Sequence, residues 1–175
     1  METFAPAREF VENPRFRSDR DDILGNLVLH SIDPPIRELV ARLSALPCCF
    51  TLQSCYGHFV CPAQPALDNL EPVPADATGP VRYRIAYMAF CLENSKSGRA
   101  FRKALEQITV IDTDYIQFGS PGWFWERYKN SYALQVEPPA FVNEDAVTVD
   151  HGEARHVQWV RDRFFAALTE LSMEN

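Results

Sequence analysis

Three side chains able to do chemistry fall within five residues of one another, Ser54, Cys55 and His58, in the segment Gln53-Ser54-Cys55-Tyr56-Gly57-His58. Their types allow three kinds of chemistry. A Cys55 thiolate activated by His58 would be a nucleophile, with Ser54 as a neighbouring hydroxyl. Cys55, His58 and Cys61 in the spacing Cys-x2-His-x2-Cys, with Cys48 or Cys49 as a fourth ligand, would hold a structural metal. A turn at Gly57, where the backbone can approach a ligand closely, would bind a substrate through Gln53, backbone amides and the Ser54 hydroxyl. Against these stands the plain alternative, in which the cysteines are small core residues and His58 is a hydrogen-bonded turn residue.

A second group lies downstream. Gln117-Phe118-Gly119-Ser120 leads into Trp123-Phe124-Trp125-Glu126-Arg127, and Tyr132 follows on an apolar segment. Trp125 beside Arg127, with Tyr132, offers surfaces on which a base or another planar ligand could stack, although burial is the commoner fate of such aromatics. His151 and His156 are five apart and do not share a helical face, so they do not read as a metal pair.

The elements that must position these residues can be read from periodicity. Ser18 with Asp21 resembles a capping box before Ile23, Leu24, Leu27 and Val28, predicting a helix up to about His30. Asp33 before Pro34-Pro35 reads as an N-cap, with Ile36, Leu39, Val40 and Leu43 as the apolar stripe of a second helix that ends before Pro47. Cys48 to Leu52 reads as a buried strand with residues 53–58 at its exit. Residues 62–80 carry Pro62, Pro65, Pro72, Pro74 and Pro80 and predict a loop or flap, and Val81 to Leu92 predicts one long strand. Further along come a helix carrying Phe101, Leu105 and Ile108, a return toward a strand ending near Phe118, and a strand over 131–136 stopped by Pro138-Pro139. A C-terminal helix follows, with Asp150 and Glu153 at its start. The expected fold is α+β, a single domain over 1–175 with a mixed or antiparallel sheet packed by about four helices.

Composition narrows the classes. Of 175 residues, 46% are hydrophobic and 23% charged, which suits a globular chain rather than a disordered one. No apolar run reaches the length of a membrane span, and charged residues interrupt the first dozen positions, so the expectation is a cytoplasmic protein without a membrane partner. Five cysteines, an odd number with four inside 14 residues, argue against a disulfide framework. The net charge of −7 opposes RNA as a partner unless basic residues such as Arg82, Arg84, Arg99, Arg102, Arg127 and Lys129 gather on one face.

Asp33-Pro34, Ile36, Leu39, Phe50-Thr51, Ser54-Cys55 and Gly57 together resemble the opening of the wybutosine-synthesizing protein 3 family, over about 30 residues. That family reads Ser-Ser-Cys-Ser-Gly-Arg between two strands. Ser54, Cys55 and Gly57 match it, while Gln53, Tyr56 and His58 stand where it has Ser, Ser and Arg. The resemblance implies a related fold and a transferase acting in tRNA modification with S-adenosylmethionine as cofactor, hence a nucleotide-related small-molecule pocket. The residues alone leave open a non-catalytic small-molecule or protein-binding module and a structural metal-binding protein.

Overall fold

The structure, a computed structural model, describes residues 5–141 and 144–174. Its elements in chain order are α1 (Phe16–Gly25), α2 (Arg37–Ala45), β1 (Cys49–Cys55), β2 (His58–Val60), β3 (Val81–Arg84), β4 (Ala86–Leu92), α3 (Lys96–Gln107), β5 (Ile116–Gly119), α4 (Gly122–Arg127), β6 (Ser131–Val136), β7 (Ala146–Val149) and α5 (His151–Glu174). Five α-helices accompany two sheets, both antiparallel: a four-stranded one in the order β1-β4-β6-β5 and a three-stranded one in the order β2-β3-β7. The fold class is therefore the expected α+β, with the sheet antiparallel rather than mixed. Among the described residues no helix is long and apolar enough to cross a membrane.

The sequence 81–92, expected as one strand, is two. The chain leaves the small sheet at Ile85, whose N–H donates to the Asp145 carbonyl, and enters the large sheet at Ala86, whose N–H donates to the Tyr83 hydroxyl at 2.8 Å. Its antiparallel partner bends at the same level: Cys55 pairs with Tyr87 in the large sheet and His58 with Arg84 in the small one, with Tyr56-Gly57 between. The two strand pairs are one ribbon folded at a corner. Apolar continuity across Ile85 hides this break from periodicity, and β7, which completes the small sheet, carries no turn signal that announced it.

Gly57 is what the corner requires. Its φ is +89°, in the left-handed region, and an added Cβ would lie 2.9 Å from the Ala86 Cβ and 3.1 Å from the Tyr83 ring. The Gly57 carbonyl accepts from Nη1 of Arg161 on α5 at 3.0 Å. Tyr56 is turned away from β1 onto α5, stacked on Phe165 with ring centroids 5.2 Å apart and lying under the Arg161 guanidinium at 4.2 Å.

The core lies on both faces of the large sheet. Met88, Phe90, Leu92, Tyr132, Leu134 and Val136 pack with α2, α3 and α5, whose stripes Leu39–Leu43, Phe101–Leu105 and Val157–Leu168 are buried as their spacing predicts. The opposite face is closed by α1 and α4 through Phe16, Phe50, Cys91, Ala89 and Phe124. α5 also covers Phe59, Val81 and Tyr83 of the small sheet and so joins the two. α1 begins at Phe16, earlier than expected, and Ser18 bonds back to the Arg15 carbonyl rather than capping. At α5 the expected cap is present, with the Glu153 N–H donating to Asp150 Oδ1 at 2.9 Å.

Residues 5–11 run as a strap over β5 and β6. Pro6 bridges Gly119, the Ser120 N–H donates to the Ala5 carbonyl, and the Arg8 N–H donates to Ser120 Oγ at 3.0 Å. The Tyr132 hydroxyl donates to the Arg8 carbonyl, and Asn130, at φ 64°, exchanges two hydrogen bonds of 2.8 and 2.9 Å with the Val11 backbone.

Two outcomes follow. Gly57→Ala combines a left-handed alanine with a close Cβ contact and is expected to lose roughly 3 kcal/mol or more. Gly79→Ala, at φ +90° with nothing within 4 Å, should lose only about 1–2 kcal/mol; urea denaturation of both variants separates the clash from the backbone strain. The second concerns alkaline pH. Burial, opposed by the Arg102 guanidinium, pushes the Tyr132 phenol up to about 12 from its ordinary value of 10. Above pH 10 an unfolded tyrosine loses its proton while the folded one keeps it, so stability falls from pH 10 to 12. That fall should be shallower in Tyr132→Phe when urea midpoints are followed across the range.

Candidate active site

β1 is an edge strand, and its free side faces the connection between α1 and α2. Thr51 opposes Phe90 and Gln53 opposes Ala89, so Leu52 is an extra residue that bulges the strand toward that connection. Between them opens a cleft of about 610 Å3, lined on one wall by Asn26, Leu27, Ser31 and Asp33 and on the other by Thr51–Cys55, His58, Arg84 and Tyr87. Of the residues singled out in the sequence, Gln53, Ser54, Cys55 and His58 all line it, and Gly57 makes the turn that joins them.

Asp33 is the residue that sequence reasoning assigned differently. It does sit before a short 3-10 turn at Pro34–Ile36, yet its carboxylate makes no cap. It reaches across the cleft instead, where Oδ2 accepts from the Tyr56 N–H at 2.8 Å and stands 3.4 Å from Nε2 of His58. Asp33, Cys55 and His58 bring one ligating atom each to within 4.8 Å of one another. Asp33 is partly exposed in the cleft while Cys55 and His58 are buried, and His58 Nδ1 has no partner among the described residues. An Asp-Pro-Pro run carries no sign of such a long-range role, which arises only from the corner at Tyr56-Gly57.

Cys61 does not join this group. It is three residues beyond His58 along an extended segment, which places its side chain on the opposite face, where it is buried in the core. Cys48 and Cys49 lie at the far end of β1 and are also outside it. The Cys-x2-His-x2-Cys set, one of the alternatives the spacing offers, is thus not assembled, and Asp33 rather than Cys61 joins Cys55 and His58.

The state of Cys55 bears on the nucleophile reading. Burial raises its thiol above the ordinary value; the Gly57 N–H and Arg84 pull it down, and Asp33 pushes it further up, with the net shift upward. A thiol held in its protonated form is a poor nucleophile. Arg84, opposite His58 in the small sheet, is exposed and makes no hydrogen bond or ion pair among the described residues. It lines both the cleft and an adjoining recess of about 220 Å3 shared with Arg82, Val60, Leu67 and Asp145. The Tyr87 hydroxyl donates to Gln53 Oε1 at 3.4 Å across the cleft wall.

The second sequence cluster lies elsewhere. Trp125 and Tyr132 are buried in the core, with ring centroids 6.1 Å apart, and the strap residue Arg8 covers Trp125. Arg127 is exposed but stacks on Trp123 at 3.8 Å, and none of the three lines the cleft. Of the other basic residues, Arg99 and Arg102 lie over Phe10 and Tyr132 and serve packing. The Pro-rich stretch 62–80 is pinned to α5, through the Val73 N–H to Gln158 and the Pro74 carbonyl to His151. It does not cover the cleft.

No family model and no curated protein matches the sequence. Among solved structures, the PH1069 protein from Pyrococcus horikoshii is similar with a TM-score of 0.51 at 12% identity, over 91% of this chain and 95% of that one. A hypothetical protein from Aeropyrum pernix gives 0.43 at 9% identity, over 81% and 96%. The likeness to the Pyrococcus protein is one of fold.

With a thiol-specific reagent at pH 8, half-exposed Cys48 should label before Cys55, and Cys55 labelling should accelerate as pH rises above 9. Peptide mapping gives the order; fast labelling of Cys55 at pH 7 would restore the thiolate nucleophile.

Proposed function

We propose that the cleft beside β1 binds a nucleotide-like small molecule through its carboxylate or phosphate and that Asp33, Cys55 and His58 form the reactive end of a group-transfer site acting on it. The observation that carries this reading is the presence, in one cleft of about 610 Å3, of an Arg84 guanidinium unpaired among the described residues together with partly exposed Asp33 beside buried Cys55 and His58. A cleft of this size suits a ligand of nucleotide dimensions. Arg84 would hold a phosphate or carboxylate, the recess beside Arg82 would extend the anionic contact, and the Tyr87 ring and Leu27 would flank a planar group.

The resemblance to the wybutosine-synthesizing protein 3 family makes S-adenosylmethionine the first candidate cofactor and a modified nucleoside of tRNA the first candidate substrate. The donor set fits: a half-buried carboxylate at Asp33 for a cationic sulfur, Arg84 for the amino-acid carboxylate and Gln53 and Ser54 for polar groups. Bound there, the cofactor would supply a methyl group. The chain's own residues would orient it, keep the reacting end at Cys55 and His58 away from bulk water, and leave Asp33 to fix the turn beside it. A non-catalytic binding module is the second reading, and the raised Cys55 thiol favours it.

Thermal unfolding tests both with S-adenosylmethionine, adenine nucleotides and nucleosides as probes. A ligand at about 100 times its dissociation constant adds roughly 2.7 kcal/mol. The expected result is an upward shift with a probe carrying a carboxylate or phosphate, which Arg84→Gln weakens at least tenfold in affinity while its unliganded Tm stays unchanged. No shift with any probe, or an equal shift in Arg84→Gln, contradicts the assignment. A shift without turnover selects the binding module.

A further inference from the structure

His58 at the corner is buried, and the protein group beside it is the Asp33 carboxylate, at the length of a long contact. His58 is 5% exposed, and among the described residues neither ring nitrogen makes a hydrogen bond: Nδ1 has no partner, and Nε2 stands 3.4 Å from Asp33 Oδ2. A good N–H···O bond is shorter, at about 2.7–3.2 Å. Two ligands of a tetrahedral ion with bonds of about 2.0–2.1 Å are separated by roughly 3.3 Å. The Asp33–His58 pair has the spacing of co-ligands.

We propose that Asp33, Cys55 and His58 bind a divalent transition metal of the zinc class, through one carboxylate oxygen, the thiolate sulfur and Nε2. One ligating atom from each residue already lies within 4.8 Å of those of the other two, and Nε2 stands 3.4 Å from Asp33 Oδ2, so small side-chain rotations close the set. Thiolate with imidazole selects zinc-type ions over magnesium or calcium, whose sites are built from oxygen. On binding, the metal takes the place of the Cys55 thiol proton, which passes to solvent, and no electron is transferred. Three protein ligands leave a fourth position open, and the cleft holding Arg84 and Gln53 is where it opens.

The backbone organises the ligands before metal arrives. The Tyr56 N–H fixes Asp33 Oδ2, and Arg161 anchors the Gly57 carbonyl from α5, holding the turn between Cys55 and His58. Such outer contacts orient metal ligands. The inference rests on the cleft as the functional site but not on which molecule fills it.

Cobalt(II) is the probe, added to the metal-free full chain. One equivalent is expected to give the thiolate-to-cobalt charge-transfer band and the intense visible absorption of a four-coordinate ion, both abolished by zinc. Cys55→Ser should lose the charge-transfer band, Asp33→Asn and His58→Gln should weaken binding at least tenfold, and Cys61→Ser should keep the spectrum. Absence of the band at stoichiometric cobalt, or its persistence in Cys55→Ser, overturns the site. Should Cys55→Ser not fold, alkylation of the unaltered protein decides: zinc must slow labelling of Cys55 at least tenfold and leave Cys48 unchanged, and equal rates with and without zinc refute it. The thermal shift with nucleotides on metal-free protein is read separately, so loss of the metal site and loss of the Arg84-dependent ligand are distinguishable.

Discussion

The rest of the structure depends on how one dipeptide is held. Between Tyr56 and Gly57 the ribbon turns from the large sheet into the small one. Tyr56 donates its N–H to Asp33 from the α1–α2 connection, and Gly57 gives its carbonyl to Arg161 from α5. Without those partners a buried corner would strand backbone polar groups away from water, a cost of about 1–3 kcal/mol each. Arg161 is itself buried, sandwiched between the rings of Tyr56 and Phe59 at 4.2 and 5.0 Å, and its remaining nitrogens donate to Asp162. A buried guanidinium is tolerated only when its donors are spent this way. Both sheets, the last helix and the helical connection therefore meet at two residues.

That meeting explains why the reactive groups come together. Asp33, Cys55, His58 and Arg84 are supplied by a connection, the end of one strand, the start of the next and a strand of the second sheet. Each is within a residue or two of the corner or of a group bonded to it. Tyr56, where the resembled family carries Ser, does not face the cleft; its ring serves as a platform for Arg161 and Phe165.

Where local pattern governs, the sequence was legible. The stripes Leu39–Leu43, Phe101–Leu105 and Val157–Leu168, the stop before Pro47 and the strand over 131–136 are all where spacing placed them. The segment 53–58 was recognisable because glycine beside Ser, Cys and His is an unusual local combination. What was hidden depends on contacts distant in sequence. Asp33 reads as a cap because Asp-Pro-Pro normally is one, and Arg161 reads as a solvated face of an amphipathic helix. The sheet switch at Ile85 interrupts neither alternation nor hydrophobicity, since both sheets want the same residues there. Trp125 and Tyr132 beside Arg127 looked like a stacking surface, but the strap of residues 5–11 covers the two rings, and nothing in either segment names the other.

The strap also sets an order of assembly. Its hydrogen bonds join Arg8 to Ser120 and Tyr132, and Val11 to Asn130, across separations of 112 to 124 residues. Closing loops of that length is entropically slow, and contacts of high sequence separation retard folding. During synthesis the strap is made before β6 and must wait for it before finding its place, and the paired rings of Trp125 and Tyr132 stay uncovered until the two meet. Residues 5–11 are thus a late stitch of the fold, drawn tight only once β6 has been made.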